Sequence, residues 1–162
     1  MFLRELKEKD APLMLEWMHN KSVVEHLGTN FAEKTLEDCL NFIEASKTDK
    51  NNLNLAIADQ NDEYMGTVSL KHIDYVSCTA EFAITMRSVA MGKGFSKYGM
   101  QSILEKGINE MGLKEIYWCV SEKNLRAIRF YDKYGYTRTN FVPQSITEFY
   151  SKENDFIWYI YK

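Results

Sequence analysis

From Leu53 onward the spacing of apolar residues switches from two to between three and four, returns, and switches again, and this alternation restricts the fold more than any other feature. Leu53, Leu55 and Ile57 alternate with Asn54, Ala56 and Ala58, the period of a strand, and the run ends in the turn-rich Asp59 to Glu63. Tyr64 to Leu70 and Thr79 to Met86 read as two further strands. Met100, Ile103, Leu104, Gly107, Ile108 and Met111 then recur at helical spacing, with Gly112 as the stop. Ile116 to Val120 is an apolar run that suits a strand buried on both faces. A last helix is predicted from about Leu125 to Tyr134, stopped at Gly135, before strands at Tyr136 to Phe141 and Asp155 to Tyr161.

The upstream segment adds a first strand at Phe2 to Leu6 and two helices. Asp10 is placed to cap one whose second position is Pro12, with Leu13, Met14, Trp17 and Met18 on one face. Thr35 and Asp38 form a capping box for the next, with Leu36, Cys39, Leu40 and Ile43 expected inside. A strand meander followed by strand–helix–strand–helix–strand predicts an α/β fold: a mixed central sheet of about seven strands flanked by about four helices, on both faces. No linker or repeat divides the chain, so residues 1–162 read as one domain.

Composition removes several classes of function. A formal net charge of -3 argues against a nucleic-acid surface, which needs clustered excess Lys and Arg. No apolar run approaches the roughly 20 residues that span a bilayer, and the first ten residues lack a signal-peptide layout. Cys39, Cys78 and Cys119 are far apart, without a Cys-x-x-Cys pair, so neither a disulfide framework nor a zinc site is expected. The expectation is a reduced, cytoplasmic protein with no metal, nucleic-acid or membrane partner, as monomer or homodimer.

Two stretches carry chemistry. On a strand through Thr79 to Met86, Glu81, Ala83 and Thr85 share a small, partly polar face, leaving room for a ligand. Downstream, Met91-Gly92-Lys93-Gly94-Phe95-Ser96 opens a helix. Its glycines let the backbone approach a ligand closely, and free amides with the positive dipole end suit a pyrophosphate. Arg87, Lys93 and Lys97 lie in one acid-free island, and Lys123, Arg126 and Arg129 in a second, which looks like local phosphate binding. A Walker loop does not fit, because Gly94 follows Gly92-Lys93, nor does the Rossmann fingerprint, because Lys97 stands at its third glycine.

The second stretch, Asn124 to Tyr136, fits Asn-x-x-Ala-x-x-x-Tyr-x-x-x-Gly-aromatic without a gap. Together with the glycine turn, one helix and one strand upstream, it resembles the Gcn5-related N-acetyltransferase (GNAT) superfamily, and the order of elements from Phe2 to Tyr161 follows that acyl-CoA N-acyltransferase fold. The family's pyrophosphate loop is usually Gln/Arg-x-x-Gly-x-Gly/Ala. Here Met91 replaces the first position and Ser96 the last.

The resemblance implies acetyl-CoA as co-substrate, bound where the fourth and fifth strands splay apart. Backbone groups of Ile84, Thr85 and Met86 would pair with the pantetheine amides, the amides from Gly92 to Ser96 with the pyrophosphate, and Asn124 and Arg126 would contribute from the second stretch. It also implies direct attack by a primary amine. Holding the two reactants together can be worth roughly 7–11 kcal/mol, and a backbone amide of the fourth strand would stabilise the oxyanion. Tyr131 stands where the family often places the acid that protonates the leaving thiolate, and Glu81 is the leading base for the ammonium.

Plainer roles compete at each position: Tyr131 as a core aromatic, Glu81 as a partner in a strand-edge ion pair, Asn124 as a helix cap, Arg126 and Arg129 as solvated charges. His19, His26 and His72 show no ligand spacing and read as ordinary surface or loop histidines; Cys119 reads as a small hydrophobe. A non-catalytic acyl-CoA sensor is the competing class, disfavoured because it needs neither Tyr131 nor Glu81.

The acceptor side is expected between Asn20 to Lys34 and Val142 to Asn154. Trp17, Phe31, Phe149 and Tyr150 would supply flat surfaces, and Glu25, Glu33, Glu148 and Glu153 carboxylates. The plan looks like the branch that acetylates ribosomal-protein N-termini and is also similar to enzymes that acetylate nucleotide-linked amino sugars. The expected partner is therefore a small-molecule or peptide amine, and the reading leans to the peptide amine.

Overall fold

The computed structural model describes residues 1–152 and 155–162. One seven-stranded sheet runs through the molecule in the order β1-β2-β3-β4-β5-β7-β6. These strands are β1 Phe2–Glu5, β2 Leu53–Ala58, β3 Tyr64–Asp74, β4 Thr79–Met86, β5 Glu115–Ser121, β6 Thr137–Arg138 and β7 Phe156–Tyr161. The helices are α1 Ala11–Met18, α2 Lys21–Val24, α3 Leu36–Ser46, α4 Phe95–Asn109, α5 Leu125–Lys133 and α6 Gln144–Thr147. The expected α/β class holds, and the two segments expected to wall the acceptor carry short helices: α2 and a 3-10 turn at Phe31–Glu33 before α3, and α6 before β7.

Helices cover both faces. On one, α1 and α3 pack Met14, Trp17, Met18, Cys39 and Ile43 against Ala56 and Tyr64. On the other, α4 presents Met100, Ile103 and Leu104 to a core built from Ile57, Val68, Leu70, Phe82, Ile116 and Trp118. Gly99 permits that close approach, since a Cβ there would stand 2.3 Å from Ile57 Cδ1.

The strands pair antiparallel except β4 with β5, which run parallel and stay in register only at Thr79 with Glu115, Ala80 with Ile116 and Glu81 with Tyr117. Beyond this rung β4 remains paired to β3 as far as Met86, and β5 remains paired to β7 as far as Ser121. The two strands therefore diverge while each stays regular. That splay is the fold's main contribution to a site.

Three local expectations are corrected. Leu36 and Leu40 are exposed, at 44% and 38%, because α3 turns only the Cys39–Ile43 stripe toward the sheet. Asp10 makes no side-chain cap; its buried carboxylate instead accepts from the Arg4 guanidinium at 2.7 and 2.8 Å and the Lys7 amide at 2.8 Å. The strand expected over Tyr136 to Phe141 shortens to Thr137–Arg138. The Thr35–Asp38 capping box forms as read.

Candidate active site

The glycine turn forms where the sequence places it. Gly92 and Gly94 take left-handed φ of 77° and 86°, and Gly94 is the N-cap of α4. A Cβ at either would meet no atom within 4 Å, so backbone conformation rather than space calls for glycine. Among the described residues, no amide from Gly92 to Lys97 donates to a protein acceptor, whereas Tyr98 N closes the first helical bond, 3.0 Å from Gly94 O. Unpaired amides at a helix N-terminus form a cradle for an anion, so the turn fits a pyrophosphate.

The basic residues around that cradle sort into two groups. Lys93, Lys97, Lys123, Arg126 and Arg129 are exposed, with the Lys97 ammonium 4.9 Å from the centroid of the Tyr134 ring. Arg87 is corrected. It is buried and paired with Glu16 at 2.9 Å and Glu63 at 2.7 Å, which makes it a clamp holding the end of β4 to α1 and β3. Met91 is half-buried against the sheet core, and Phe95 and Ser96 form the first turn of α4. Asn124 caps α5, accepting from the Ala127 amide at 3.2 Å. Ile84 and Thr85 are half-buried and Met86 is buried, all beyond the last β4–β5 rung.

Glu81 occupies that last rung. It is 1% exposed, a position a carboxylate rarely takes without partners. The Tyr150 hydroxyl donates to its Oε1, and Lys71 Nζ, from the residue paired with it across β3, lies 3.6 Å from the same oxygen. Oε2 has no hydrogen bond; His72 Nε2 is the nearby group, at 3.5 Å. Burial pushes the Glu81 carboxyl above its ordinary range, with Lys71 opposing. Glu81 thus makes the strand-edge ion pair that the sequence offered as its plainer role, at the rung where β4 and β5 part.

Tyr131 lies on the opposite face of β5 from Glu81. Its ring packs edge-on to Trp118 at 5.6 Å and against Tyr159 at 5.0 Å. Its hydroxyl has no hydrogen-bond partner among the described residues, and burial raises its pKa, so the phenol stays protonated. Cys119, on the strand between them, is within electrostatic range of both Glu81 and Tyr131. Burial, reinforced by Glu81, pushes its thiol up to about 12, which rules out a thiolate nucleophile at neutral pH.

Two buried side-chain atoms lack a hydrogen-bond partner among the described residues: Glu81 Oε2 and Trp118 Nε1. Glu81 pairs with Tyr117, and Trp118 is the first β5 residue past that rung. Both orphans therefore stand at the vertex of the splay. Buried polar atoms without partners are uncommon, and these two flank the point where the strands part, from opposite faces of the sheet.

Sequence reasoning missed Lys71 and His72 and gave Tyr150 only a wall position. His72 is not an ordinary loop histidine: it sits beside Glu81 with its ring stacked on Phe149 at 3.7 Å and 6°. The available signal was the cross-strand register, which puts Lys71 opposite Glu81 once the β3–β4 turn is counted out. Trp17 is buried, with Nε1 donating to the Tyr64 hydroxyl at 3.0 Å, and it packs edge-on to Phe31. Glu25, Glu33 and Glu148 are exposed, and Glu153 lies outside the described residues.

A family model described as an acetyltransferase (GNAT) domain matches residues 1–137, and the chain belongs to that family. Spermidine N(1)-acetyltransferase of Vibrio cholerae is 29% identical over 80 residues, 49% of this chain and 46% of that protein. The Escherichia coli (strain K12) enzyme of the same name is 28% identical over 81 residues, 50% and 44% of the two chains. The match spans about half the length of these curated relatives. The crystal structure of the Vibrio cholerae spermidine N-acetyltransferase in complex with CoA and spermine superposes with a TM-score of 0.82. It covers 99% of this chain and 94% of that one at 19% identity, a likeness of fold. None of these relatives belongs to the ribosomal-protein N-terminal branch that the plan was read to resemble.

Proposed function

We propose that this protein is an acetyl-CoA-dependent N-acetyltransferase whose acceptor is a primary amine of a small polycation of the polyamine class. Acetyl-CoA supplies an activated acetyl thioester to that amine. The amides from Gly92 to Ser96 hold the pyrophosphate end, and the unpaired edge of β4 at Ile84, Thr85 and Met86 orients the arm. The observation that carries the reading is the partnerless Oε2 of Glu81 at the vertex of the splay, an acceptor waiting for an N–H donor.

An aliphatic amine with a pKa near that of Lys, about 10.4, is almost wholly protonated at neutral pH, which sets about 4–5 kcal/mol against attack. A base at the vertex offsets that cost, and Glu81 takes this role. Tyr131, held protonated on the other side of β5, is the donor to the departing sulfur. A peptide N-terminus, with a pKa near 8, needs such a base less. The names of the relatives and the exposed Glu25, Glu33 and Glu148 point the same way, toward an acceptor with several positive charges.

The test is a competition in one vessel among spermidine, a short basic peptide and a UDP-linked amino sugar at limiting acetyl-CoA. Acetyl should go mainly to the polyamine, with the preference shrinking as salt screens the acidic walls. Preferential acetylation of the peptide or the sugar nucleotide would assign the acceptor differently and leave the acyl-transfer reading standing.

A further inference from the structure

A proton taken up by Glu81 must leave before the next turnover, and the carboxylate is itself shut off from water. The groups packed on it are specific. Register is lost in β3 between Lys71 and Asp74, and there His72 takes a left-handed φ of 50°, which L side chains rarely adopt. Consecutive residues of a regular strand point to opposite faces. Here both reach one carboxylate, Lys71 at Oε1 and His72 at Oε2.

The chain after α6 fixes this arrangement from above. Phe149 stacks on the imidazole, and Tyr150 donates to Oε1, which leaves Oε2 to face His72 Nε2 at 3.5 Å. Distances between catalytic partners are often this long before substrate is bound. The His72 side chain keeps 29% of its exposure, against 2% for Glu81, so the pair joins a buried carboxylate to a wetted ring.

We propose that His72 is a relay that returns the Glu81 carboxyl to its ionised form by passing the proton to solvent, a step that rests on Glu81 acting as the base of the reaction proposed above. The ammonium N–H bond breaks as an O–H bond forms at Glu81 Oε2, leaving a neutral amine and a carboxylic acid. That O–H bond breaks as an N–H bond forms at His72 Nε2, restoring the carboxylate and giving an imidazolium. The imidazolium loses its Nδ1 proton to water, giving the Nε2–H tautomer, and exchange of that remaining proton through water to Nδ1 restores the ring as it began.

The relay requires a neutral ring free to accept at Nε2. The charged and titratable groups facing it are Lys71 on its own strand, Glu81 on β4, Glu148 and Tyr150 at and after α6, and Cys119 on β5 beside Glu81. Burial and Lys71 lower its pKa from the usual value, with Glu148 opposing, so the neutral form prevails at pH 7.

Two measurements decide it. Nitrogen-15 NMR of histidine-labelled wild-type protein, with His72 assigned by comparison with His72→Asn, should find a neutral ring protonated at Nδ1 at neutral pH. A ring protonated at Nε2 overturns the relay whatever the activity. His72→Gln should lower kcat for amine acetylation about 100-fold, with KM for the amine and acetyl-CoA affinity nearly unchanged, and added imidazole should restore part of the rate. His72→Asn, whose side chain tolerates the left-handed backbone, should behave alike while keeping the wild-type Tm within about 3 °C. Wild-type kcat in both variants, or a loss that imidazole leaves unchanged, overturns the proposal. Failure of the wild-type protein to acetylate any amine would instead count against the acyl-transfer reading, with the tautomer result still deciding the relay's geometry.

Discussion

Glu81 stands opposite Tyr117 at the final rung of the parallel ladder between β4 and β5, so the buried carboxylate marks the point where the sheet opens. Burial raises its pKa in the folded state. A carboxyl raised in this way contributes its full stability below the unfolded value and loses it as pH climbs through the folded one. Glu81→Gln does not titrate, so its Tm minus that of the wild type should grow from about pH 4.5 upward. The same variant should lose about 100-fold in kcat/KM at neutral pH and regain part of it at high pH, where free amine is already present. Thermal scans across pH and a pH–rate profile check both; a constant Tm difference would show that burial does not control this group.

Tyr131 offers a clean separation of packing from chemistry. Its ring is held among Trp118, Phe130, Tyr136 and Tyr159, while its hydroxyl has no protein partner among the described residues. Tyr131→Phe keeps the ring, so its stability should stay within about 0.5 kcal/mol of the wild type. The kcat should nevertheless fall roughly 10- to 1000-fold with acetyl-CoA affinity unchanged. An unaltered kcat would assign the tyrosine to the core alone.

At the cradle, Gly94→Val places a β-branched residue at a φ of 86°. The conformational cost is on the order of 1–2 kcal/mol, about 2–8 °C in Tm for a chain of this size. The larger effect should be on ligand: the rise in melting temperature that acetyl-CoA gives the wild type should vanish. ATP or NAD stabilising the wild type more than acetyl-CoA does would mean that the turn serves a different nucleotide.

Packing beneath the cradle is tested at Gly99. An alanine Cβ there collides with Ile57 Cδ1 and Cγ1, at 2.3 and 2.8 Å. Gly99→Ala should therefore destabilise by about 1–3 kcal/mol, and the added change Ile57→Val, which removes the nearest methyl, should recover part of the loss. Denaturant melts of the two single variants and the double variant measure the coupling. Strict additivity would argue against the contact.

The fold was legible because it rests on local signals. The period-two run Leu53–Ile57, the glycine turn at Gly92 and Gly94, and Gly135 at the end of α5 each announce one element without reference to the rest of the chain. The left-handed glycines that open α4 and the Asn124 cap of α5 were legible for the same reason. What sequence reading lost depends on contacts distant in the chain or on local irregularity. Arg87 looked like part of a phosphate rim because its partners Glu16 and Glu63 come from other elements. His72 looked ordinary because only the irregularity in β3 turns it toward Glu81, and Tyr150 reaches Glu81 from 69 positions away. The apolar spacing of α3 overstated its buried face because periodicity does not show which turns lie over the sheet.

The central claim, that this chain transfers acetyl to amines and does not merely bind the acyl-CoA, is tested most directly by mixing the pure protein with acetyl-CoA and spermidine and following both products at once. Mass spectrometry reads acetylated spermidine, and a thiol reagent reads free CoA. The account predicts the two appearing in equal amounts, over many turnovers, at a rate cut at least about tenfold by Glu81→Gln and by Tyr131→Phe. Saturable binding of acetyl-CoA with no acetylated amine, from spermidine or any other primary amine supplied, would contradict it and leave a binding module in place of an enzyme.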